Sequence, residues 1–523
     1  MKRVPAPFPV PAAAAALAFA CSSSAPERAT SVDAGHDAVA RDAHARETAA
    51  PDTGRDVRTE DGRRHDASEA SAGRTVSFGP GLVATLTNGG QLTLTSQGAP
   101  VLATATGQPL FSSAVGDGTP TTYYDPKNLS PYTFSALGPE AVTIDSPAPG
   151  TLHLVATDGR AGVALVSLAL AADDGFYTGL GERYDHVDPR GQIVTMQLEL
   201  DEGYESGTTD RHVPVPWLVS SRGYGVFVAD RHAGAWDVAS TDAHVVRSTF
   251  EGTSLDVTIV VDPDPLAVVA TLTRMTGLPR ATPTWVLGPM MWRHVDSQTE
   301  LLSDLAHIRS LHIPTSAFWI DDGWQVALNT LDFDPTKYTD AAGLGASMRS
   351  LGFKEVGWNS PYLEAPTGSD ASAPDEAQML YPTAAASGFF VVHDGAPFPA
   401  PGPGSGAYGI LDFTSPAATM FWAGRASKAV GLGMDGFKLD YGEDLVPDVF
   451  GQRLGVTLAD GETEETARNY PLHYHGAYRQ ALASPEGGAL ADDGVLVVRA
   501  STYGGGAVAD IVWPGDLDNG FQH

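Results

Sequence analysis

Three carboxylate-bearing runs in this chain have the residue types and spacing for chemistry. The first is Asp435-Gly436-Phe437-Lys438-Leu439-Asp440-Tyr441-Gly442-Glu443. Side chains alternate along an extended strand, so Lys438 and Asp440 share a face and Leu439 points away. A neighbouring ammonium keeps an aspartate ionised, the state a carboxylate nucleophile requires. The same two residues also read as a structural ion pair at a strand end. The second run, Trp513-Pro514-Gly515-Asp516, sets an acid beside an indole and a tight glycine turn. An apolar flank raises a carboxyl pKa and suits proton donation, although an ordinary turn aspartate fits the same residues. The third run, Phe318-Trp319-Ile320-Asp321-Asp322-Gly323-Trp324, brackets two adjacent acids with tryptophans. Aromatic faces stack on the C–H surfaces of sugar rings and carboxylates accept hydroxyl hydrogen bonds. Asp321 and Asp322 therefore read as a sugar subsite or, alternatively, as a helix or turn cap. Arg499 directly follows the apolar run 495–498, where a guanidinium holds a sugar hydroxyl, orients a carboxylate or pairs with a rim acid.

Other chemistries lack support. His473 and His475 are spaced so that on a helix they face differently, which is poor geometry for a shared metal. The glycines at 504–506 are not followed by the Lys-Ser/Thr of a phosphate loop. There is no G-x-S-x-G, and the one cysteine, Cys21, lies near the N-terminus, so acyl-enzyme chemistry has no candidate nucleophile. With 32 basic and 63 acidic residues the formal net charge is −31. Such a field repels polyphosphates, so a nucleic-acid partner is not expected.

These groups need a scaffold to bring them together. From about residue 75 to 282 the pattern is short and alternating, as at residues 82–86, 91–94 and 152–155, with Gly, Asn, Asp and Pro between. That predicts an antiparallel β-sandwich. After Pro283 the rhythm changes. Strands are predicted at 285–291, 315–320, 354–358, 436–439, 495–498 and 510–513. Helices are predicted from a Ser297-Gln298-Thr299-Glu300 capping box and near 342–350, 417–430 and 472–482. Alternating strands and helices form parallel βα units, and in a (β/α)-barrel the strand ends carry the chemistry. The candidate acids and Arg499 all fall at such ends.

The first 74 residues are of another kind. Lys2 and Arg3 precede an Ala-rich apolar stretch that stops at Cys21, followed by three serines. Residues 1–21 read as a signal peptide. Cys21 resembles a bacterial lipoprotein cleavage site, which would be lipidated and anchor the protein at the cell envelope; plain secretion is the other reading. Residues 22–74 contain no aromatic residue and no Leu, Ile or Met. Such a segment cannot bury enough apolar surface to order itself and is expected to be a disordered linker.

Taken together, residues 176–516 resemble glycoside hydrolase family 31, the retaining α-glycosidases. Gly179-Leu180-Gly181-Glu182-Arg183 is similar to the family's G-x-G-E-R stretch. The segment from Pro216 to Val226 is similar to its P-F-x-x-S-S-x-G-Y-G. Trp285-Val286-Leu287-Gly288 is similar to W-x-L-G, the Lys438–Glu443 run to K-x-D-F-G-E, and Arg499 through Asp516 to R-S…W-x-G-D, with one residue more than the usual spacing.

The resemblance implies a galactose-mutarotase-like β-sandwich (75–282) followed by a (β/α)8 TIM-type barrel (283–523). It implies that Asp440 is the nucleophile and Asp516 the general acid/base, with carboxyls about 5–5.5 Å apart. Asp321 would bind sugar hydroxyls, with Asp322 beside it. Trp358 would be an aromatic wall, Lys438 and Arg499 would flank the nucleophile, and Trp513 would line the substrate site. An oligosaccharide or α-glycoside is the expected substrate, and no metal or organic cofactor is implied. The family's pattern goes on past the point where this sequence stops at His523, with two more barrel strands, an H-D-x-G-G segment and C-terminal β-domains. The barrel is therefore expected to be incomplete, and the 523-residue chain by itself to fold poorly or be inactive. The Asp321-Asp322-Gly323-Trp324 sequence also resembles α-galactosidases, so the sugar stays open.

Overall fold

The computed structural model describes residues 73–116, 124–196, 212–295, 297–365, 375–400, 407–443, 445, 455–461, 467–485 and 490–516. The predicted signal peptide, Cys21 and residues 22–72 of the predicted linker lie outside the described residues, and Arg74, the linker's expected last residue, already belongs to the first strand.

The first block is antiparallel throughout. A four-stranded meander (Arg74–Gly79, Leu82–Leu86, Leu92–Ser96, Ala99–Ala103) accompanies two six-stranded sheets. One contains Thr151–Thr157, Tyr224–Val228 and Ser254–Val261; the other contains Val163–Ala171, Gly234–Val238 and Val245–Glu251. Their alternating apolar residues meet in one core that includes Leu152, Leu154, Leu168, Trp236, Phe250 and Ile259. That is the result expected when one face of each strand is apolar.

One element in this block was not expected. Helix α1 (Pro265–Thr276) closes it, capped by the Asp264 carboxylate, which accepts from Leu266 N. Val268 and Leu272 bury beside Trp217, Phe227 and Val260. Asp264-Pro265 is a helix-start signal, three residues after the strand Ser254–Val261 ends.

The second block alternates. Parallel strands β1 (Met290–Arg293), β2 (Ala317–Ile320), β3 (Lys354–Asn359), β4 (Gly436–Leu439), β5 (Val495–Val498) and β6 (Ile511–Val512) lie in that order in one sheet. Helices α2 (Gln298–Ser310), α3 (Ala341–Ser350), α4 (Asp375–Ala386), α5 (Pro416–Leu432) and α6 (Tyr470–Leu482) fall between the strands. Among the described residues the sheet is open, with β1 and β6 at its edges, an incomplete (β/α)-barrel.

The strand expected at 285–291 is displaced. Residues Thr284–Leu287 form a 3-10 turn and pairing begins only at Met290. Pro289 lies inside the expected strand and cannot donate a ladder hydrogen bond; only its carbonyl is used, by Ser316 N at 2.9 Å. The Ser297 cap before α2 is formed. Ser297 Oγ accepts from Glu300 N at 3.2 Å, and the Glu300 carboxylate pairs with Arg293.

Candidate active site

Register sets the site. Trp358 on β3 is level with Lys438 on β4, and Lys438 with Val497 on β5. Residues level across parallel strands share a face, so Trp358, Lys438, Asp440 (two beyond Lys438) and Arg499 (two beyond Val497) project the same way at the strand ends. All four are at least 95% buried.

Four donors converge on Asp440. Lys438 Nζ at 2.6 Å and Trp358 Nε1 at 2.9 Å donate to Oδ2. The Arg499 guanidinium at 2.8 Å and Tyr441 N at 2.9 Å address Oδ1. Burial alone would raise this carboxyl's pKa, but the Arg499 and Lys438 charges outweigh it and hold the pKa below its ordinary value. Asp440 is thus a fixed carboxylate. Trp358, expected as an aromatic wall, acts on Asp440 through its indole N–H.

The chain reaches this geometry at a backbone cost. Tyr441 adopts a left-handed φ of 60°, a region that disfavours a residue with a Cβ, and Gly442 follows at 106°. The turn sends the Tyr441 ring under Arg499, whose Cζ lies 4.4 Å from the ring centroid.

Arg499 also serves a second acid. Its Nε and Nη2 donate to Glu443 at 2.8 and 3.1 Å, and His212 Nδ1 lies 3.0 Å from the same carboxylate. Burial pushes the Glu443 pKa up, and Arg499 and His212 more than reverse that, so it stays ionised. Glu443 ends the first run but lies past the strand, where alternation assigns no face. His212 comes from the sandwich block, 231 residues away, and no local signal marks it.

Trp513 and Asp516 close the site from the β6 side. Trp513 N donates to Val498 O at 2.8 Å, and Lys438 Nζ sits 3.8 Å from the Trp513 ring centroid, a cation–π contact. Gly515 has φ +89°, and Tyr184 Oη donates to Pro514 O at 3.0 Å, so a sandwich loop fixes this turn. Asp516 is an exposed residue, and its carboxyl pKa is raised, first by partial burial and next by the Asp440 charge, with Asp321 adding to it and Lys438 and Arg499 opposing. The Asp440 charge therefore reaches Asp516.

Asp321 and Asp322 part company. The Asp321 carboxylate accepts from Trp319 Nε1 at 3.3 Å and from Asp322 N at 2.9 Å, and its charge reaches Asp516. Trp319 in turn stacks on Trp292, 6.0 Å apart at 19°. Asp322, also assigned to the subsite, is exposed on the rim and pairs with His294 Nδ1 at 2.8 Å. His475 is fully buried on α6 while His473 lines a surface hollow, so the two do face differently. Among the described residues no three His, Cys, Asp or Glu side chains gather as a metal would require.

Two carboxyls with pKa values pushed apart are equipped for paired nucleophilic and acid/base work. Comparisons with known proteins agree with that chemistry. Residues 279–523 match the model of the glycosyl hydrolases family 31 TIM-barrel domain, and residues 30–237 that of the glycosyl hydrolase 31 N-terminal galactose mutarotase-like domain. An α-xylosidase of Lactiplantibacillus pentosus is 26% identical over 64% of this chain and 41% of its own. An isomaltosyltransferase of Sporosarcina globispora is 27% identical over 67% of this chain and 34% of its own. The structure of a dextranase from Flavobacterium johnsoniae complexed with glucose superposes with a TM-score of 0.61 at 19% identity, covering 84% of this chain and 54% of that one. The chain thus spans less than half of the two relatives and about half of the dextranase. Both of its folded blocks match the same family in the same domain order, and the chain belongs to glycoside hydrolase family 31.

Proposed function

We propose that this chain carries the catalytic centre of a retaining α-glycosidase that cleaves terminal α-linked sugars by double displacement. The observation that carries the reading is the pairing of a carboxylate held ionised by Lys438 and Arg499 with a second carboxyl whose pKa that charge helps to raise. In the first step an Asp440 carboxylate oxygen bonds to the anomeric carbon. The glycosidic C–O bond breaks, and Asp516 gives its proton to the departing oxygen. In the second step Asp516 takes a proton from water, the water oxygen bonds to the anomeric carbon, and the ester bond to Asp440 breaks. Asp321 accepts hydroxyl hydrogen bonds and Trp319 presents a ring to the sugar.

The test is mass labelling with a cyclitol-type covalent inactivator, together with aryl α-glucosides, xylosides, galactosides and sulfoquinovosides. Attachment at Asp440 and release of α-configured product support the proposal. Attachment elsewhere, inverted product, or Asp440 and Asp516 carboxyls about 9 Å apart in a crystal would refute it. The similarity to an isomaltosyltransferase favours a second reading, in which an acceptor sugar replaces water in the second step; product analysis with and without acceptor separates the two. A site that binds sugar but leaves every aryl glycoside intact would instead mark a non-catalytic carbohydrate-binding protein.

We further propose export with lipid attachment at Cys21, supported by the basic, apolar and Cys-Ser-Ser-Ser sequence of the N-terminus. Labelled palmitate should enter the expressed chain and be lost in Cys21→Ser; label retained by the variant would refute lipidation there.

A further inference from the structure

Outside the active site, the junction of the sandwich, α1 and the β5–β6 loop holds two adjoining hollows of about 480 and 290 Å³. They share Thr276, Tyr503 and Gly504, and so form one groove divided by the Tyr503 ring. None of the side chains around Asp440 lines it.

The larger lobe combines opposite chemistries. The Tyr503 ring packs edge-on against Phe227 (5.2 Å, 84°), and the Arg231 guanidinium lies over it at 4.8 Å. Arg231 lines the groove, and its Nε is buried behind the wall without a hydrogen-bond partner. Opposite signs are present together: Asp256, its side chain 44% exposed, is paired at 3.0 Å with His153, and Thr258 adds a hydroxyl.

This lining selects its ligand by elimination. A polyanion is repelled by Asp256 and the net charge of −31. A cation meets Arg231. A wholly apolar molecule would cover the lining Arg231, Asp256 and Thr258 without pairing them, which is costly. A neutral polyol with C–H faces fits: its hydroxyls accept from Arg231 and donate to Asp256, and its ring faces cover Phe227, Met275 and Tyr503. The volume is that of an ordinary small-ligand cleft.

We infer that this groove is a second carbohydrate-binding site, taking a short neutral oligosaccharide apart from the catalytic centre. The inference rests on the glycosidase reading only for the choice of probe. Its position also ties it to that centre, because Tyr503 and Gly504 belong to the loop that joins Arg499 to Trp513.

The experiment uses the full chain with Asp440→Asn to prevent turnover, and an iminosugar at saturation to fill the active site. Binding of maltotriose and of xylobiose is then followed by saturation-transfer NMR. Residual binding of at least one of them is expected, weakened about tenfold or more by Arg231→Met and by Tyr503→Ala while iminosugar affinity is unchanged. Arg231 is half-buried, so its variant remains informative should Tyr503→Ala unfold. Loss of all saccharide binding once the iminosugar is bound, or binding indifferent to both substitutions, overturns the inference. If the iminosugar does not bind, the glycosidase reading fails, and the groove is still judged by whether Arg231→Met weakens saccharide binding.

Discussion

Glu355 offers a sharp test of the electrostatics beneath the barrel. It lies on β3, fully buried, with neither carboxylate oxygen hydrogen-bonded. Room for it is made by Gly345 on α3 and Gly433 after α5, where an added Cβ would lie 3.1 and 3.4 Å from Oε2. Burial, and then the negative charge of Asp435, push its pKa from 4.5 to about 8, against a smaller pull from Arg349. The sign follows from proton uptake. Below pH 4.5 folded and unfolded chains both hold the proton. Between 4.5 and 8 only the folded chain does, so folding stability falls as pH rises; above 8 the loss levels off. Each pH unit in that window is worth about 1.4 kcal/mol, so this one group removes roughly 4 kcal/mol between pH 5 and 8. Glu355→Gln cannot ionise. It buries an unsatisfied amide at a constant cost, so the difference between its stability and the wild type's should tilt in the variant's favour by that amount across the window. Urea unfolding followed by tryptophan fluorescence at pH 5, 6, 7 and 8 measures both chains. Two profiles that stay parallel within about 1 kcal/mol would refute a buried, proton-holding Glu355.

Three further outcomes are expected. Asp440→Asn should lower turnover by about four orders of magnitude, the scale of losing a carboxylate from a concerted unit; it should also shift the Asp516 pKa downward, read by ¹³C-aspartate NMR titration, because the charge that raised it is gone. Tyr184→Phe removes the hydrogen bond to the Pro514 carbonyl, worth about 1 kcal/mol; kcat should fall several-fold on glycosides with poor leaving groups and little on activated aryl glycosides, which need less protonation. Glu443→Ala leaves Arg499 and His212 without their shared carboxylate and should cost about 3–5 kcal/mol in urea unfolding at pH 7, whereas Glu443→Gln keeps hydrogen-bonding capacity and should lose less.

What the sequence revealed divides along physical lines. Period-two alternation is local, and it put Lys438 and Asp440 on one face, as the structure does. The Ser297 cap and strands 436–439 and 495–498 were likewise legible, because propensity and pattern agreed there. Trp285–Met291 misled because its apolar run looks like a strand, while Pro289 forbids the pairing. Asp322 was grouped with Asp321 by adjacency, and the structure places it past the strand end, exposed and paired with His294. His212 and Tyr184 reach the site from the sandwich block through the fold alone. Glu443 was quoted within a motif, and only Arg499 bridging it to Asp440 gives it a role.

Arg499 is shared between two carboxylates, and that has a consequence for the proposed cycle. In the resting site two cations, Lys438 and Arg499, face two anions, Asp440 and Glu443. Once Asp440 becomes an ester its charge is gone, and the negative charge has moved to Asp516, which has given its proton to the leaving group. Arg499 keeps Glu443 as its counter-charge and stays put. Lys438 loses its directly paired carboxylate and keeps the indole face of Trp513, 3.8 Å away, while its charge now acts on an ionised Asp516. The Lys438 charge then stays beside the ester, where it draws electron density toward the aspartyl oxygen and makes that carboxylate a better leaving group for the second displacement.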